Sequence, residues 1–467
     1  MTKLRLAIIG AGPAGIYAAD ILLKAERKFD VAIDLFDQLP APYGLVRYGV
    51  APDHPRIKGI INALRDVLDR GDIRVFGNVR FGEDITLDDL KRHYNAVIFA
   101  TGAIKDADLD IPGINALGSY GAADFVSWYD GHPDFPREWP LDGGSVAVIG
   151  NGNVALDVAR LLAKHADDLL VTEIPENVYR GLAASQVTDV HVFGRRGPAQ
   201  VKFTPLELRE LGELRDVDMV VYDEDFDYDE ASRDAIASNK QVMVMDRVFQ
   251  SWRRRPSANG AGGGASRRLH LHFYAKPVEV KADENGRVSA IVYERTQPDD
   301  QGGVIGTGEV REIPIQQVYR AVGYFGSPLP GVPFDRKHGV IPNREGQVVR
   351  RDSNERVPGV YATGWIKRGP VGLIGHTKSD AMETISHLIN DQGSWWSPVD
   401  PSPDAIVALL ADRGIAWTDL DGWHRLDQHE ISLGEPQERA RIKVVDRDEM
   451  VRVSMGHRSS AGGSGER

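Results

Sequence analysis

Three glycines near the start of the chain have the spacing of a turn that binds phosphate groups. Gly10, Gly12 and Gly15 form a G-x-G-x-x-G pattern, behind an apolar run and ahead of apolar residues at helical intervals. Glycine lets such a turn close and lets backbone N–H groups approach a pyrophosphate, which the N-terminus of the following helix attracts. A lone pattern of this kind often marks only a glycine turn. Its setting between a predicted strand and a predicted helix favours a dinucleotide site.

A carboxylate follows the second predicted strand. Asp37 ends the apolar run from Val31 to Phe36, roughly 20 residues beyond the glycine turn, where an acid accepts hydrogen bonds from ribose hydroxyls. Solvated acids at strand ends are common, but the preceding glycine motif favours the ribose role. The segment from Gln38 to Pro55 is rich in Pro and Gly and too apolar for a solvent loop. It is therefore predicted to wrap a ligand.

The chain repeats the strand, turn and helix design after residue 145. An apolar run from Val146 to Ile149 leads into Gly150, Gly152 and Ala155, and the motif tolerates alanine at its third position. Two such turns imply either two nucleotides or one duplicated unit. Both alternatives favour a flavoprotein that transfers electrons.

Two arginines stand where the second unit would otherwise carry its acid. Val190 to Phe193 reads as the second strand of this unit, and the pair Arg195–Arg196 follows it. A carboxylate here would repel a ribose 2′-phosphate, whereas guanidinium groups bind phosphate through charge-assisted hydrogen bonds. A solvated basic turn is the weaker alternative, because of the position and pairing of the arginines. The second nucleotide is therefore predicted to be NADP(H).

The composition excludes several classes of function. The chain has 467 residues, a net charge of −12 and no cysteine. Without cysteine it cannot hold a cysteine-ligated iron–sulfur cluster, a redox disulfide or a cysteine nucleophile. The negative charge argues against nucleic acid as the main partner, and no apolar run approaches the ~20 residues that span a bilayer. Because the first strand begins within a few residues of Met1, we expect no targeting peptide and a cytoplasmic location.

The order of the predicted elements indicates an α/β protein with two Rossmann-like nucleotide-binding domains. We expect the domain of the second turn, residues 105–323, to be inserted into the domain of the first turn, residues 1–104 and 324–455. A disordered tail is expected at residues 456–467. The chain is long enough for two such cores.

Local patterns add predictions about single elements. Ile57 to Leu68 reads as one amphipathic helix. Phe203 to Leu214 reads as another, whose four leucines are expected in the core. Ser251 to Arg268 is rich in Arg and Gly, which predicts a flexible surface loop, and Gly302 to Gly308 is expected to be a hairpin-like loop between strands.

Together these residues resemble the ferredoxin–NADP⁺ reductases of the adrenodoxin reductase type, most of all the bacterial members. The segment PYGLVRYGVAPDHP, from Pro42 to Pro55, is close to a signature of that family and far more specific than either glycine turn. VIGNGNVALDVAR, GRRGP and GWIKRGPVGLIG are nearly as diagnostic. The resemblance runs from Leu6 to about Asn390 and is weaker beyond. It implies FAD and NADP(H) as cofactors, hydride transfer to the flavin, and single-electron transfer from a monomer to an acidic ferredoxin.

The family pattern also implies a set of contacts for each cofactor. For FAD these are Gly10, Gly12, Ala14, Gly15, Asp37, Leu45, Val79, Trp365, Gly372, Leu373 and Ile374. For NADP(H) they are Gly152, Asn153, Val154, Ala155, Arg195, Arg196, Glu207 and Gly372. His54 and Glu210 correspond to a polar pair at the flavin–nicotinamide junction and are the catalytic candidates; a turn residue and an ordinary helix-face carboxylate are the plainer alternatives. No metal is implied.

Two features depart from the family pattern. Asp37 stands where most members have Glu, so the ribose contact must be made by a shorter carboxylate. The basic stretch from Arg253 to Arg268 has no counterpart and is given no role. Steering an acidic partner also needs a positive face on this acidic chain. The candidates for that face are Arg47, Arg56, Lys58, Arg195, Arg196, Lys202, Arg209, Lys367 and Arg368.

Three other classes of protein share parts of these patterns. A pyridine nucleotide–disulfide reductase has the two-nucleotide layout but needs a cysteine pair. An NADPH-oxidising subunit of a larger complex, like that of glutamate synthase, shares the glycine turns but normally brings cysteine-bound clusters. A non-catalytic FAD-binding protein would have no use for the paired arginines.

Overall fold

The computed structural model describes residues 3–254, 264–299, 301–371 and 374–456. Strands and helices alternate along most of this chain. The strands, numbered in chain order, are β1 (Lys3–Ile9), β2 (Asp30–Phe36), β3 (Ile73–Phe76), β4 (Ala96–Phe99), β5 (Lys105–Asp106), β6 (Ser119–Gly121), β7 (Ser145–Ile149), β8 (Asp189–Phe193), β9 (Val217–Val221), β10 (Arg267–His272), β11 (Ala275–Ala282), β12 (Val288–Pro298), β13 (Val304–Pro314), β14 (Gln317–Arg320), β15 (Tyr324–Phe325), β16 (Asn343–Arg344), β17 (Gln347–Val349) and β18 (Arg356–Ala362).

The α-helices cover both large sheets and form most of the C-terminal part. They are α1 (Pro13–Lys24), α2 (Leu45–Tyr48), α3 (Pro55–Lys58), α4 (Ile60–Leu68), α5 (Leu87–His93), α6 (Ala122–Tyr129), α7 (Asn153–Ala163), α8 (Glu176–Ala183), α9 (Pro205–Gly212), α10 (Glu230–Ser238), α11 (Lys240–Arg253), α12 (Trp365–Arg368), α13 (Ile374–Asn390), α14 (Pro403–Asp412), α15 (Leu420–Gly434) and α16 (Arg447–Met455). Among the described residues, none of these helices has the length and apolarity that crossing a bilayer requires.

Seven of the described strands form the first large sheet, in the order β16-β17-β18-β4-β1-β2-β3. The five strands from β18 to β3 are parallel. In this register Ile9 lies opposite both Phe36 and Phe99. The turn after β1, the acid after β2 and the chain after β4 therefore meet at one carboxyl edge of the sheet, which is where ligands bind in open α/β folds.

Six of the described strands form the second large sheet, in the order β6-β14-β7-β8-β10-β9. All of its pairs are parallel, and Ile149 lies opposite both Phe193 and Arg320. An antiparallel sheet of β11, β12 and β13 lies beside it. The prediction of an α/β fold with two Rossmann-like units is confirmed. Where the chain passes between the two large sheets, β5 and β15 pair with each other.

Two local predictions are wrong in part. The helix expected from Ile57 to Leu68 is two helices, α3 and α4, which separate at Gly59 because glycine holds the helical conformation poorly. Gly302 to Gly308 is not a loop throughout, since β13 begins at Val304. This strand is exposed along most of its length, so its sequence shows little apolar alternation, and an edge strand tolerates glycine.

The basic and leucine-rich segments also differ from expectation. The loop expected from Ser251 to Arg268 is shorter, because α11 continues to Arg253 and β10 begins at Arg267; its centre, like the expected tail after residue 456, lies outside the described residues. In α9 the expected core face is incomplete. Leu208 and Leu211 are buried, but Leu206 is 42% exposed.

Buried ion pairs join three distant parts of the chain. Arg47 on α2 pairs with Glu430 on α15 at 2.5 Å, and both side chains are buried. Lys58 and Lys443 contact the same carboxylate oxygen of Glu173, at 2.7 and 2.8 Å. Removing one partner of such a pair leaves an uncompensated buried charge, so these contacts fix the C-terminal segment against both sheets.

Candidate active site

Close backbone packing shapes the first glycine turn. Gly10 has φ +110°, and a side chain on it would overlap the carbonyl oxygen of Ala100. A side chain on Gly15 would overlap the carbonyl oxygen of Gly10. At Gly12, by contrast, an added Cβ would meet nothing closer than the Gly44 Cα at 3.8 Å. Two of the three glycines are therefore required by packing, and the third leaves open space.

That open space is part of a cavity of about 350 Å³ at the carboxyl edge of the first sheet. Several separate segments of the chain contribute to its walls. Val154, on the second glycine turn, lines the same cavity. Of the residues that the family resemblance assigns to FAD, the cavity is lined by Gly10, Gly12, Ala14, Asp37, Leu45, Val79 and Trp365.

The remaining residues assigned to FAD are placed differently. Gly15 is buried behind the turn and does not line the cavity. Ile374 begins α13, whereas Gly372 and Leu373 lie outside the described residues.

Two backbone N–H groups hold the Asp37 carboxylate. Its Oδ2 accepts a hydrogen bond from the Ala11 N–H at 2.7 Å, and its Oδ1 accepts one from the Leu39 N–H at 2.9 Å. Burial raises the pKa of Asp37 to about 6, although these hydrogen bonds favour the charged form. The carboxylate therefore lies in a fixed orientation at the cavity wall, and the contact with a ribose remains a prediction.

The segment predicted to wrap a ligand forms one wall of the cavity. Its Tyr43 N–H donates to the Ala11 carbonyl at 2.8 Å, which ties the segment to the first glycine turn. Gly44 has φ +49°, and an added Cβ there would lie 3.1 Å from the Gly12 Cα. The narrow approach of these two glycine backbones fits an extended pyrophosphate. The wall residues of this segment are Gln38, Leu39, Gly44, Leu45, Val46, Tyr48, Gly49 and Val50.

Trp365 reaches the cavity from the opposite side. It begins α12 and is partly buried, directly after Gly364, which has φ +75°. The Gly364 N–H donates to the Asp380 carboxylate at 2.5 Å, and Lys367 pairs with the same carboxylate at 3.0 Å. Asp380 on α13 therefore fixes the position of the indole. The sequence analysis missed this residue because its contacts come from a different element.

The second glycine turn has a hydrogen-bonded acid beside it. Gly152 is open, since an added Cβ would meet nothing within 4 Å among the described residues. The Asn153 side-chain amide donates to Glu207 at 3.3 Å, and its carbonyl oxygen accepts from the Thr204 N–H at 3.1 Å. Glu207 is buried, which raises its pKa. The predicted NADP(H) residues Asn153 and Glu207 are thus in contact with each other, and Ala155 packs in the core behind them.

The arginine pair lies on a fixed turn with its side chains free. The Arg195 carbonyl accepts from the Thr296 hydroxyl at 2.8 Å, and the Arg196 carbonyl accepts from the Tyr274 N–H at 3.2 Å. Arg195 is exposed and Arg196 partly so. Within the described part of the chain, neither guanidinium pairs with a carboxylate. Two unpaired guanidinium groups on a rigid turn are well suited to bind a phosphate.

His54 and Glu210, the catalytic candidates, lie next to each other. His54 Nδ1 lies 3.1 Å from a Glu210 oxygen, and His54 Nε2 lies 2.8 Å from Asp157. Arg160 pairs with Asp157 at 2.8 Å and with Asp53 at 2.8 Å. His54 is only 4% exposed and does not line the cavity. Asp157 and Arg160 are functional candidates that sequence reasoning missed, although both belong to the VALDVAR motif.

The surroundings of His54 keep a proton on its ring. Burial would lower the pKa of His54, but the hydrogen bonds with Asp157 and Glu210 raise it to about 9. A pKa of about 9 favours the charged ring at neutral pH, while the Arg160 guanidinium nitrogen that lies 2.9 Å from Nε2 opposes it. Arg160 is almost completely buried beside it. Burial would lower the pKa of this guanidinium, but the carboxylates of Asp157 and Asp53 raise it above its ordinary value.

Comparisons with known proteins agree with this geometry. A protein-family model described as pyridine nucleotide-disulphide oxidoreductase matches residues 4–191. The NADPH-ferredoxin reductase FprA of Mycobacterium tuberculosis is 39% identical over 465 residues, which cover 97% of this chain and 99% of that protein. The chain belongs to the NADPH-ferredoxin reductase family. Because it has no cysteine, its match to the disulphide oxidoreductase model reflects the nucleotide-binding layout.

Relatives of the adrenodoxin type support the same assignment. The human mitochondrial NADPH:adrenodoxin oxidoreductase is 36% identical, over 97% of this chain and 92% of that protein. The solved structure titled "Mycobacterium tuberculosis FprA in complex with NADPH" superposes with a TM-score of 0.88 and 38% identity, covering 97% of this chain and 100% of that one. The predicted resemblance to the adrenodoxin reductase type is confirmed.

The positive face expected for a partner is smaller than predicted. Arg47, Lys58 and Lys367 are buried in ion pairs with carboxylates, so they cannot meet a docking protein. Arg56 and Lys202 are exposed. Arg209 is exposed and Arg368 is partly buried.

The raised pKa of His54 predicts a pH-dependent contribution to stability. Because the folded-state pKa of about 9 exceeds the ordinary value of about 6.5, this contribution is complete below about pH 6.5 and is lost as the pH rises through 9. Between these limits we expect the free energy of unfolding to fall by about 3 kcal/mol more in the wild type than in His54→Gln. Urea unfolding at a series of pH values measures the difference. The control His424→Gln, at a partly buried histidine that contacts Asp69, should follow the wild type, and parallel curves for wild type and His54→Gln would refute the assignment.

Proposed function

We propose that this protein is an FAD-dependent ferredoxin–NADP⁺ reductase that passes electrons between NADPH and a ferredoxin. When bound, the flavin accepts a hydride from nicotinamide C4 at its N5 and releases electrons singly to an iron–sulfur protein. Family membership supports this reaction, since the relatives are NADPH-ferredoxin and NADPH:adrenodoxin reductases. The cysteine-free sequence requires that the iron–sulfur centre belongs to the partner.

One observation carries the proposal. Val154, on the second glycine turn, lines the cavity that opens over Gly12 on the first turn. Nucleotides bound at the two turns would therefore extend toward a common space. Hydride transfer needs the two rings in contact, and a space reached from both turns is suited to bring them together.

We assign FAD to the first turn and NADP(H) to the second. Three features support an FAD site. The open Gly12 would lie at the pyrophosphate, the fixed Asp37 carboxylate at the ribose, and the half-buried Trp365 at the flavin ring. The unpaired Arg195 and Arg196 support a 2′-phosphate site. The roles of Gly372, Leu373 and Ile374 remain predictions.

A positioning role is proposed for His54. Its Nε2 lies 2.8 Å from Asp157 and its Nδ1 lies 3.1 Å from Glu210. Glu210 is the partner with the greater exposure, at 25% of its side chain. His54 would therefore orient the Glu210 carboxylate toward the nicotinamide side of the site, without itself contacting the cavity.

The domain limits are also proposed. The pairing of β5 with β15 supports a change of domain near residues 104/105 and 323/324, with the NADP(H) unit inserted into the FAD unit. The exposed Arg56, Lys202 and Arg209 support an acidic ferredoxin as the partner. A monomeric state and a cytoplasmic location remain predictions.

Replacing the arginine pair should erode the preference for NADPH. For Arg195→Ala/Arg196→Ala we expect kcat/KM for NADPH to fall at least about 100-fold, because two charge-assisted contacts are lost. The value for NADH should change little, since NADH has no 2′-phosphate. Steady-state assays with ferricyanide as electron acceptor measure both. Arg351→Ala, an exposed arginine after β17, is the control, and an unchanged NADPH/NADH ratio in the double variant would contradict the assignment.

Electron transfer to a ferredoxin tests the proposed function itself. NADPH should bleach the yellow protein under anaerobic conditions, and cytochrome c should be reduced rapidly only after a [2Fe–2S] ferredoxin is added. Equal cytochrome c reduction with and without ferredoxin would overturn the proposal. A yellow protein that NADPH does not bleach would instead favour a non-catalytic flavin-binding role.

A further inference from the structure

Three histidines on neighbouring strands of the second sheet face one another. His270 and His272 are two residues apart on β10, so their side chains lie on the same face. His191 lies opposite His270 on β8. One ring nitrogen of each histidine lies within 4.8 Å of a ring nitrogen of each of the others. His191 and His272 are buried and His270 is partly buried, and none of the three contributes to the nucleotide sites described above.

His191 and His272 share a proton. His191 Nδ1 lies 3.0 Å from His272 Nε2, while the ring centroids are 5.2 Å apart and the planes differ by 26°. This is an edge-to-edge contact, in which one nitrogen donates and the other accepts. The accepting nitrogen therefore directs its lone pair toward the other ring.

The tautomer of His270 is fixed from outside the cluster. His270 Nε2 lies 3.1 Å from the Asp189 carboxylate, so this nitrogen carries the proton. His270 Nδ1 lies 3.0 Å from the Tyr222 hydroxyl, and in the neutral tautomer it accepts from that hydroxyl. A carboxylate that accepts from the second ring nitrogen is the usual outer partner of a metal-binding histidine. Arg268 pairs with the same carboxylate at 2.7 Å and balances its charge.

We propose that His191, His270 and His272 bind one divalent transition-metal ion of the zinc class, with the Tyr222 hydroxyl beside its fourth position. Three neutral imidazoles are a ligand set that zinc accepts, and an open fourth position is common. On binding, the proton between His191 and His272 moves to the other nitrogen of the ring that carries it, so both rings stay neutral and the metal takes its place.

The ion requires a modest rearrangement of the rings. Zinc–nitrogen bonds are about 2.0–2.1 Å long, so the three nitrogens must come closer together than 4.8 Å. His270 stacks on His191 with centroids 4.3 Å apart and planes 16° from parallel. Its ring must therefore turn about its Cβ–Cγ bond until Nδ1 points between the other two rings. His270 is the least buried of the three, which leaves it room to turn.

Metal binding would stiffen the strand that leads to the arginine pair. β8 ends at Phe193, two residues before Arg195, and the next N–H, that of Gly194, donates to the His272 carbonyl at 2.9 Å. An ion that joins β8 to β10 would hold this hydrogen bond and the turn that follows it. The proposed role is therefore structural, and it is independent of electron transfer.

Titration with zinc chloride tests the site. The purified flavoprotein is treated with EDTA, desalted and studied by isothermal titration calorimetry in two buffers of different ionisation enthalpy. We expect one Zn²⁺ per chain with the same binding enthalpy in both buffers, because no proton is released, and affinity at least about tenfold weaker in His270→Gln and in His272→Gln. His338→Gln, an exposed histidine that pairs with Asp335, is the matched control and should bind Zn²⁺ like the wild type.

The proposal fails if the wild type binds Zn²⁺ no more tightly than His270→Gln. It also fails if His338→Gln weakens binding as much as the cluster variants do. Circular dichroism verifies that each variant is folded. Should the cluster variants not fold, Asp189→Asn removes the carboxylate that fixes the His270 tautomer and should still weaken Zn²⁺ binding about tenfold.

Discussion

The same backbone contact organises both halves of the molecule. In the first sheet, Gly10 packs against the Ala100 carbonyl and donates its N–H to the Phe36 carbonyl at 2.7 Å. In the second, Gly150 has φ +147°, packs against the Ala321 carbonyl and donates to the Phe193 carbonyl at 3.1 Å. Each turn is thus clamped between the ends of its two neighbouring strands. A side chain on either glycine would separate those strands and displace the N-terminus of the following helix, a position that attracts phosphate groups in general.

The distribution of charge follows from this arrangement. Arg47 and Lys58 lie in or just after the segment from Gln38 to Pro55. Both are buried against carboxylates of other segments, Glu430 and Glu173, and join those segments to it. The cations of the Arg195–Arg196 pair are left without carboxylate partners within the described residues, on a turn fixed through its backbone. Buried ion pairs serve assembly because losing one partner is costly, whereas unpaired exposed arginines are available to a ligand.

Patterns that are local in sequence predicted the local structure well. The glycine turns, the Val190–Phe193 strand and the arginine turn follow from spacing alone, since each depends on neighbouring residues. The break at Gly59 and the exposed strand β13 could not be predicted in this way, because apolar periodicity does not register a local break or a strand without a buried face. The environment of His54 could not be predicted either, since Asp157 is 103 residues away in the chain.

The central claim is that FAD and NADP(H) occupy the first and second glycine turns and meet in the cavity between Gly12 and Val154. A crystal structure of the yellow protein soaked with NADP⁺ tests this claim most directly. We expect the flavin ring in the cavity beside Trp365, and the 2′-phosphate about 2.7–2.9 Å from the guanidinium nitrogens of Arg195 or Arg196. Electron density for FAD on the second turn, or a 2′-phosphate remote from both arginines, would contradict it.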